Sequence, residues 1–173
     1  WVPKPPATDH ALAGATLIVN LSASNETVGK DVYREMLVKS ESARLLAGYV
    51  YVSSGEGEST QDLVFGGHNI IAENGTVLAQ AKRFAGESVY GDIDIHRLRQ
   101  ERRRMSTFSD GWNEDEAAYT VVPVPMTCKE TVLERNYPAM PFVPAEQTER
   151  EKRCEEILSI QAYGLKKRYE HTG

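Results

Sequence analysis

Ala15-Thr16-Leu17-Ile18-Val19-Asn20-Leu21-Ser22-Ala23-Ser24-Asn25 opens as an apolar, β-branched run and ends in hydroxyls and an amide. The run is too short to span a membrane. It reads as a strand buried on both faces, the pattern of a parallel sheet with helices on either side. Its far end turns abruptly polar at Ser22, Ser24, Asn25 and Glu26. In open α/β sheets, binding sites lie outside the carboxyl ends of strands, so these groups stand where such a fold would use them.

The flanks complete the unit. A helix is expected over 28–47, with Val32, Met36, Ala43 and Ala47 marking its apolar face and Arg34, Glu35, Lys39 and Glu41 falling off it. Gly48 is a natural C-cap. A second strand, aromatic and β-branched, follows over 49–52, and helix between apolar strands is the βαβ pattern. Upstream, the proline-rich 1–6 stretch is irregular, and Thr8 or Asp9 could cap a short helix over 10–14.

Downstream, 53–61 reads as a polar loop and 63–65 as a brief strand. Asn74-Gly75 between the runs 68–72 and 76–81 signals a hairpin. Alternation over 88–95 suggests a second sheet region, and 95–105 an arginine-rich helix. An acidic loop over 106–117 precedes an edge strand at 119–124, since Pro123 and Pro125 cannot donate to a ladder. An extended linker over 136–144 leads to a long helix over 145–170, with Cys154, Ile157, Leu158, Gln161, Leu165 and Tyr169 along one side.

The 173 residues suit one domain of ordinary globular composition. The net charge of −5 gives no support to nucleic-acid binding, and no apolar run approaches membrane-span length. No signal peptide is visible, and two cysteines make no disulfide framework, so a cytoplasmic setting is expected. The chain starts with Trp1 rather than Met, which points to a processed or partial product.

Ser24 can be read as a ligand-binding hydroxyl or as a helix cap. Lys30 sits in a first helical turn, where positive charge opposes the helix dipole. It marks a ligand carboxylate or acidic partner, or is simply solvated. Cys154 lies mid-helix after a charged run and reads as a packing residue rather than a nucleophile, as does Cys128. His10, His68, His96 and His171 show no metal spacing. Arg97, Arg99, Arg102, Arg103 and Arg104 could meet phosphate or RNA, but no aromatics interleave, so a solvated or subunit-facing helix is favoured. Gly55-Glu56-Gly57-Glu58 lacks the Gly-Lys-Ser/Thr ending of a phosphate loop.

The ordered motifs point further. They are Pro5-Pro6, His10-Ala11-Leu12-Ala13-Gly14-Ala15, Asn20-Leu21-Ser22-Ala23-Ser24-Asn25-Glu26, Gly29-Lys30 and Tyr49-Val50-Tyr51, then Gly57-Glu58-Ser59-Thr60-Gln61-Asp62-Leu63-Val64-Phe65 and Gly67-His68. Arg153-Cys154-Glu155-Glu156-Ile157, Gly164-Leu165 and Glu170-His171-Thr172-Gly173 close the string. Together they resemble the glutamine-hydrolysing domain of bacterial glutamine-dependent NAD synthetases, in the nitrilase superfamily. The resemblance is weakest over 106–135.

That resemblance implies part of a nitrilase-type α-β-β-α sandwich with a C-terminal linker helix. Residues 1–135 would form the C-terminal half of the glutaminase domain. Residues 136–173 would form the linker and connecting helix toward an ATP-pyrophosphatase synthetase domain. It also implies a ligase whose Glu, Lys and Cys triad hydrolyses glutamine through a thioester. The ammonia then serves amidation of nicotinic acid adenine dinucleotide with ATP and Mg²⁺ in the other domain.

In the family, the nucleophile's Cys-Glu-Asp motif precedes the residue matching Trp1, and the Ser-Gly-Gly-x-Asp-Ser loop follows Gly173. This chain therefore carries no catalytic triad residue and no metal ligand, and is expected to be an inactive fragment when alone. Ser24 and Lys30 match glutamine-binding positions. Expected partners are glutamine, the rest of the same polypeptide and further copies of it, with no nucleic acid and no membrane. Two other readings stay open: a catalytically dead nitrilase-like assembly or binding module, and a different nitrilase-branch amidase.

Overall fold

In the computed structural model, residues 2–108, 110, 119–127, 129, 132, 134–137 and 139–172 are described. Cys128 and most of the expected acidic loop lie outside them. Two compact units form, Trp1–Glu134 and Arg135–Gly173.

The first unit is mixed α/β. β1 (Leu17–Ser22) and β2 (Gly48–Ser53) pair in parallel, with Leu17 opposite Gly48 and Ser22 opposite Ser53. β3 (Ile70–Glu73) and β4 (Thr76–Gln80) continue antiparallel, giving the order β1-β2-β3-β4. Asn74 and Gly75 turn the hairpin with φ of 44° and 83°, the doubly positive pair that matches strand twist.

α1 (Pro6–Leu12) begins earlier than expected. Pro6 occupies the first turn, where a missing N–H costs nothing, and neither Thr8 nor Asp9 acts as the cap. α2 (Lys30–Arg44) is the crossover helix. Its buried residues are Arg34, Val38 and Ser42, while Val32, Met36 and Ala43 are exposed, so the expected apolar face is corrected. Gly48 is not the C-cap. The helix closes with Leu46 left-handed at φ 45°, Leu46 N donating to Ala43 O and Ala47 N to Ser42 O. Gly48 instead opens β2, where a Cβ would sit 2.7 Å from Ile93 Cγ2.

The core lies between α2 and one face of the sheet, where Ile18, Tyr49, Tyr51, Ile70 and Ala72 meet Val38 and Leu45, with Ala7 and Ala11 of α1. The opposite face of β1 is open: Leu17, Val19 and Leu21 are 46, 57 and 79% exposed. β1 is thus an edge strand buried on one face only, a correction to the double burial expected from its composition. Nothing among the described residues pairs its outer edge.

The 88–94 segment forms no strand. Gly91 packs against Leu78 and Ile71, and Ile93 packs at Gly48. Its alternation serves packing rather than pairing, and Asp94 N donates to the buried Glu73 carboxylate at 2.7 Å. Residues 63–65 and 119–124 likewise form no strand.

α3 (Ile95–Arg104) is capped by Asp94 Oδ1 accepting from Arg97 N. Arg102 turns inward, against the solvated reading. It donates to the carbonyls of Leu45, Leu46, Ala11 and Ala15, finishing α1 and α2 together, and its guanidinium lies 4.7 Å from the Phe108 ring centroid. Arg97, Arg99, Arg103 and Arg104 are exposed.

In the second unit, Val143 N donates to Met140 O in a turn ahead of α4 (Gln147–Thr172), so the expected linker is not extended throughout. Cys154, Ile157, Leu158, Leu165 and Tyr169 are exposed on α4, which corrects the packing role read for Cys154. No helix among the described residues is long and apolar enough to cross a membrane.

Candidate functional site

Because Ser22 and Ser53 are register partners, the loops after β1 and β2 leave the same end of the sheet. Ser54 N donates to Ser22 O, and Glu26 N to Val64 O at 2.7 Å, which folds the 23–29 loop against the 64–68 segment.

Ser24 is buried, and both its carbonyl and its hydroxyl accept from Arg34 Nη2 at 3.4 Å. It is not the helix cap: Gly29 precedes α2, with no side-chain cap bond. Lys30 is the first residue of α2, where its charge opposes the helix dipole. Its ammonium folds back onto Asn25, donating to O at 2.7 Å and Oδ1 at 2.8 Å. Ser24 in the loop and Lys30 at the start of α2 therefore lie at the same junction, but each is held by a different partner.

Sequence reasoning missed the group that holds Ser24. Arg34 Nη1 donates to Glu26 Oε1 at 2.9 Å and lies 3.0 Å from His68 Nδ1. The Arg34 and Glu26 side chains are 1 and 6% exposed. Arg83 bridges Glu26 Oε2 at 3.5 Å and Asp31 Oδ2 at 3.1 Å. Gly66 leaves room for this carboxylate, since a Cβ there would sit 2.8 Å from Glu26 Oε1. A signal did exist: two cations four apart at the start of a helix, after an acid, share one helical face.

His68 has its pKa lowered, first by burial and then by the Arg34 charge. A guanidinium can only donate, so Nδ1 accepts from Arg34, and on the far side of the ring Nε2 lies 2.6 Å from the Gln80 amide nitrogen. His68 is thus a neutral structural acceptor.

On the core side of β1, a groove of about 840 Å³ is lined by Asn20, Ser22, Tyr33, Arg34, Tyr49 and Tyr51, among others. Asn20 donates to Tyr49 Oη at 2.9 Å, and burial raises the Tyr49 pKa. Arg34 Nε, Tyr51 Oη and Ser53 Oγ are buried without hydrogen-bond partners among the described residues. The described residues include no group of three His, Cys, Asp or Glu placed to hold a metal ion. Chemically, the arrangement suits binding and orienting a polar ligand through a hydroxyl, an amide and a cation.

No family model matches the chain. Similar relatives include the glutamine-dependent NAD(+) synthetase of Mycobacterium leprae, 41% identical over 179 residues, covering 97% of this chain and 26% of that protein. The Mycobacterium bovis synthetase is 41% identical over 176 residues, with the same shares. The Aquifex aeolicus synthetase is 33% identical over 103 residues, covering 59% of this chain and 18% of its own length.

Similar solved structures include the Acinetobacter baumannii glutamine-dependent NAD+ synthetase in complex with ADP, with TM-score 0.42 and 24% identity over 45% of this chain and 15% of that one. Saccharomyces cerevisiae Nit3, a nitrilase-superfamily member, gives TM-score 0.49 and 20% identity over 64% of this chain and 39% of its own. The chain spans 26% of the length of its mycobacterial relatives, and over 97% of its own length it is similar to a segment of these glutamine-dependent NAD(+) synthetases.

Proposed function

We propose that this chain is the glutamine-binding second half of a glutaminase domain, with its linker helix, from a glutamine-dependent NAD synthetase. The observation that carries the reading is the 22–30 loop, which gathers Ser24, Asn25 and Lys30 at the carboxyl end of β1. There the Ser24 hydroxyl hydrogen-bonds the polar end of glutamine, and Lys30 supplies positive charge beside its carboxylate. The whole enzyme attacks the glutamine amide through a Cys thioester, splitting one difficult hydrolysis into two easier steps, and the ammonia goes to amidation of nicotinic acid adenine dinucleotide. ATP and Mg²⁺ act in the other domain.

The open face and edge of β1 fit this reading, since Leu17, Val19 and Leu21 await the remainder of an α-β-β-α sandwich. This chain alone is inactive toward glutamine, and the setting is cytoplasmic. The same exposed strand also favours a second reading, a nitrilase-like assembly module that pairs with another copy.

Mass spectrometry of the protein from its native cell separates the two readings. Peptides extending past Trp1 with a Cys-Glu-Asp motif, and past Gly173 with a Ser-Gly-Gly-x-Asp-Ser loop, support the synthetase. A native chain running only from Trp1 to Gly173 would overturn it in favour of the assembly module.

A further inference from the structure

Three consecutive loop residues are held by two cations one helical turn apart. Lys30 grips Asn25, and Arg34 grips Ser24 and Glu26. We propose that Arg34 is the positioning residue of this site: its buried guanidinium, anchored on Glu26 and His68, sets the direction in which the Ser24 hydroxyl meets glutamine. The proposal rests on the reading that Ser24 binds glutamine, and goes beyond it in assigning what aims the hydroxyl.

The geometry is directional. Nη1 is fixed between Glu26 Oε1 and His68 Nδ1, which leaves Nη2 pointing at Ser24, shared between carbonyl and hydroxyl. A planar fork of fixed donors can serve both sides at once, and a single ammonium cannot. A buried ion pair is weak evidence of stabilisation compared with apolar packing in the same place, so placing one here points to a geometric task. The anchor also has an outer stay. Glu26 Oε2 meets Arg83, which is 31% exposed and pairs with Asp31.

The test uses the full-length protein that carries this chain, with NAD synthesis measured from glutamine and from ammonia. Arg34→Lys is expected to raise the glutamine KM about tenfold, the loss of one charge-assisted hydrogen bond, with ammonia-driven synthesis unchanged. In a Ser24→Ala background, the same substitution is expected to add nothing, because Arg34 acts through Ser24. An unchanged KM in Arg34→Lys, or the same factor in both backgrounds, would overturn the proposal.

Arg83→Gln loosens Glu26 from its exposed side and should fold normally. It is expected to shift the glutamine KM in the same direction by about twofold. Should Arg34→Lys fail to fold, an unchanged KM in Arg83→Gln overturns the proposal. Ser24→Ala by itself separates the two levels. If it leaves the glutamine KM untouched, the glutamine reading falls. If it raises the KM while Arg34→Lys adds independently, only the positioning role falls.

Discussion

Arg34 Nη1 lies 2.9 Å from Glu26 Oε1, and both side chains are almost wholly removed from water. One residue sits on α2 and the other in the loop after β1, so this pair fixes the site loop to the crossover helix.

Removing Arg34 leaves the buried Glu26 carboxylate with only its longer contact to the part-exposed Arg83, at 3.5 Å. Arg34→Ala is expected to destabilise the protein by about 3–5 kcal/mol, far more than a surface ion pair would. Urea unfolding measures this, and a loss within that of a typical surface substitution would show the pair to be energetically idle.

His68 adds a pH dependence. Its pKa is lowered in the folded protein, so as pH falls the unfolded chain takes up the proton first. Its contribution to stability is complete above the unfolded value of 6.5 and is lost as pH drops from there through the depressed folded value. Unfolding free energy is therefore expected to decline between pH 7.5 and pH 5.5. The decline should be shallower in His68→Gln, and equal slopes in the two proteins would contradict the assignment.

Arg102 finishes two helices at once through four carbonyls. Arg102→Ala is expected to cost about 2–4 kcal/mol, since those carbonyls lose a charged donor. Arg99→Ala and Arg103→Ala, on the exposed side of the same helix, should stay within about 0.5 kcal/mol. Thermal melts of the three variants compare them directly, and equal effects would restore the solvated-patch reading.

Gly66→Ala would press a methyl against the Glu26 carboxylate, at 2.8 Å from Oε1. A destabilisation of about 1–3 kcal/mol is expected. Hydrogen exchange should accelerate over 22–30 and stay unchanged over α3. A variant as stable as the parent would show that Glu26 has room to move.

Much of this was legible in the chain. β1, α2, β2, the hairpin, α3 and α4 follow from local periodicity and turn chemistry, which a short window contains. Burial did not follow, because it depends on neighbours. The composition of β1 suggests two covered faces, but only one is covered by the described residues. The apolar face of α2 was misplaced because Arg34 looks like a surface residue until Glu26, eight positions earlier, and His68, thirty-four later, come to meet it. The 88–95 alternation is real, but alternation alone does not say whether a segment pairs or only packs. Ser24 and Lys30 stood out by position, whereas the arginine clamp behind them needed the tertiary fold.

The most direct measurement is the glutamine KM of the full-length protein carrying Ser24→Ala, beside its rate of NAD synthesis from ammonia. The account predicts a glutamine KM raised about tenfold, as for one lost hydrogen bond in a closed site, with ammonia-driven synthesis intact. An unchanged glutamine KM, or equal loss of both activities, would contradict it.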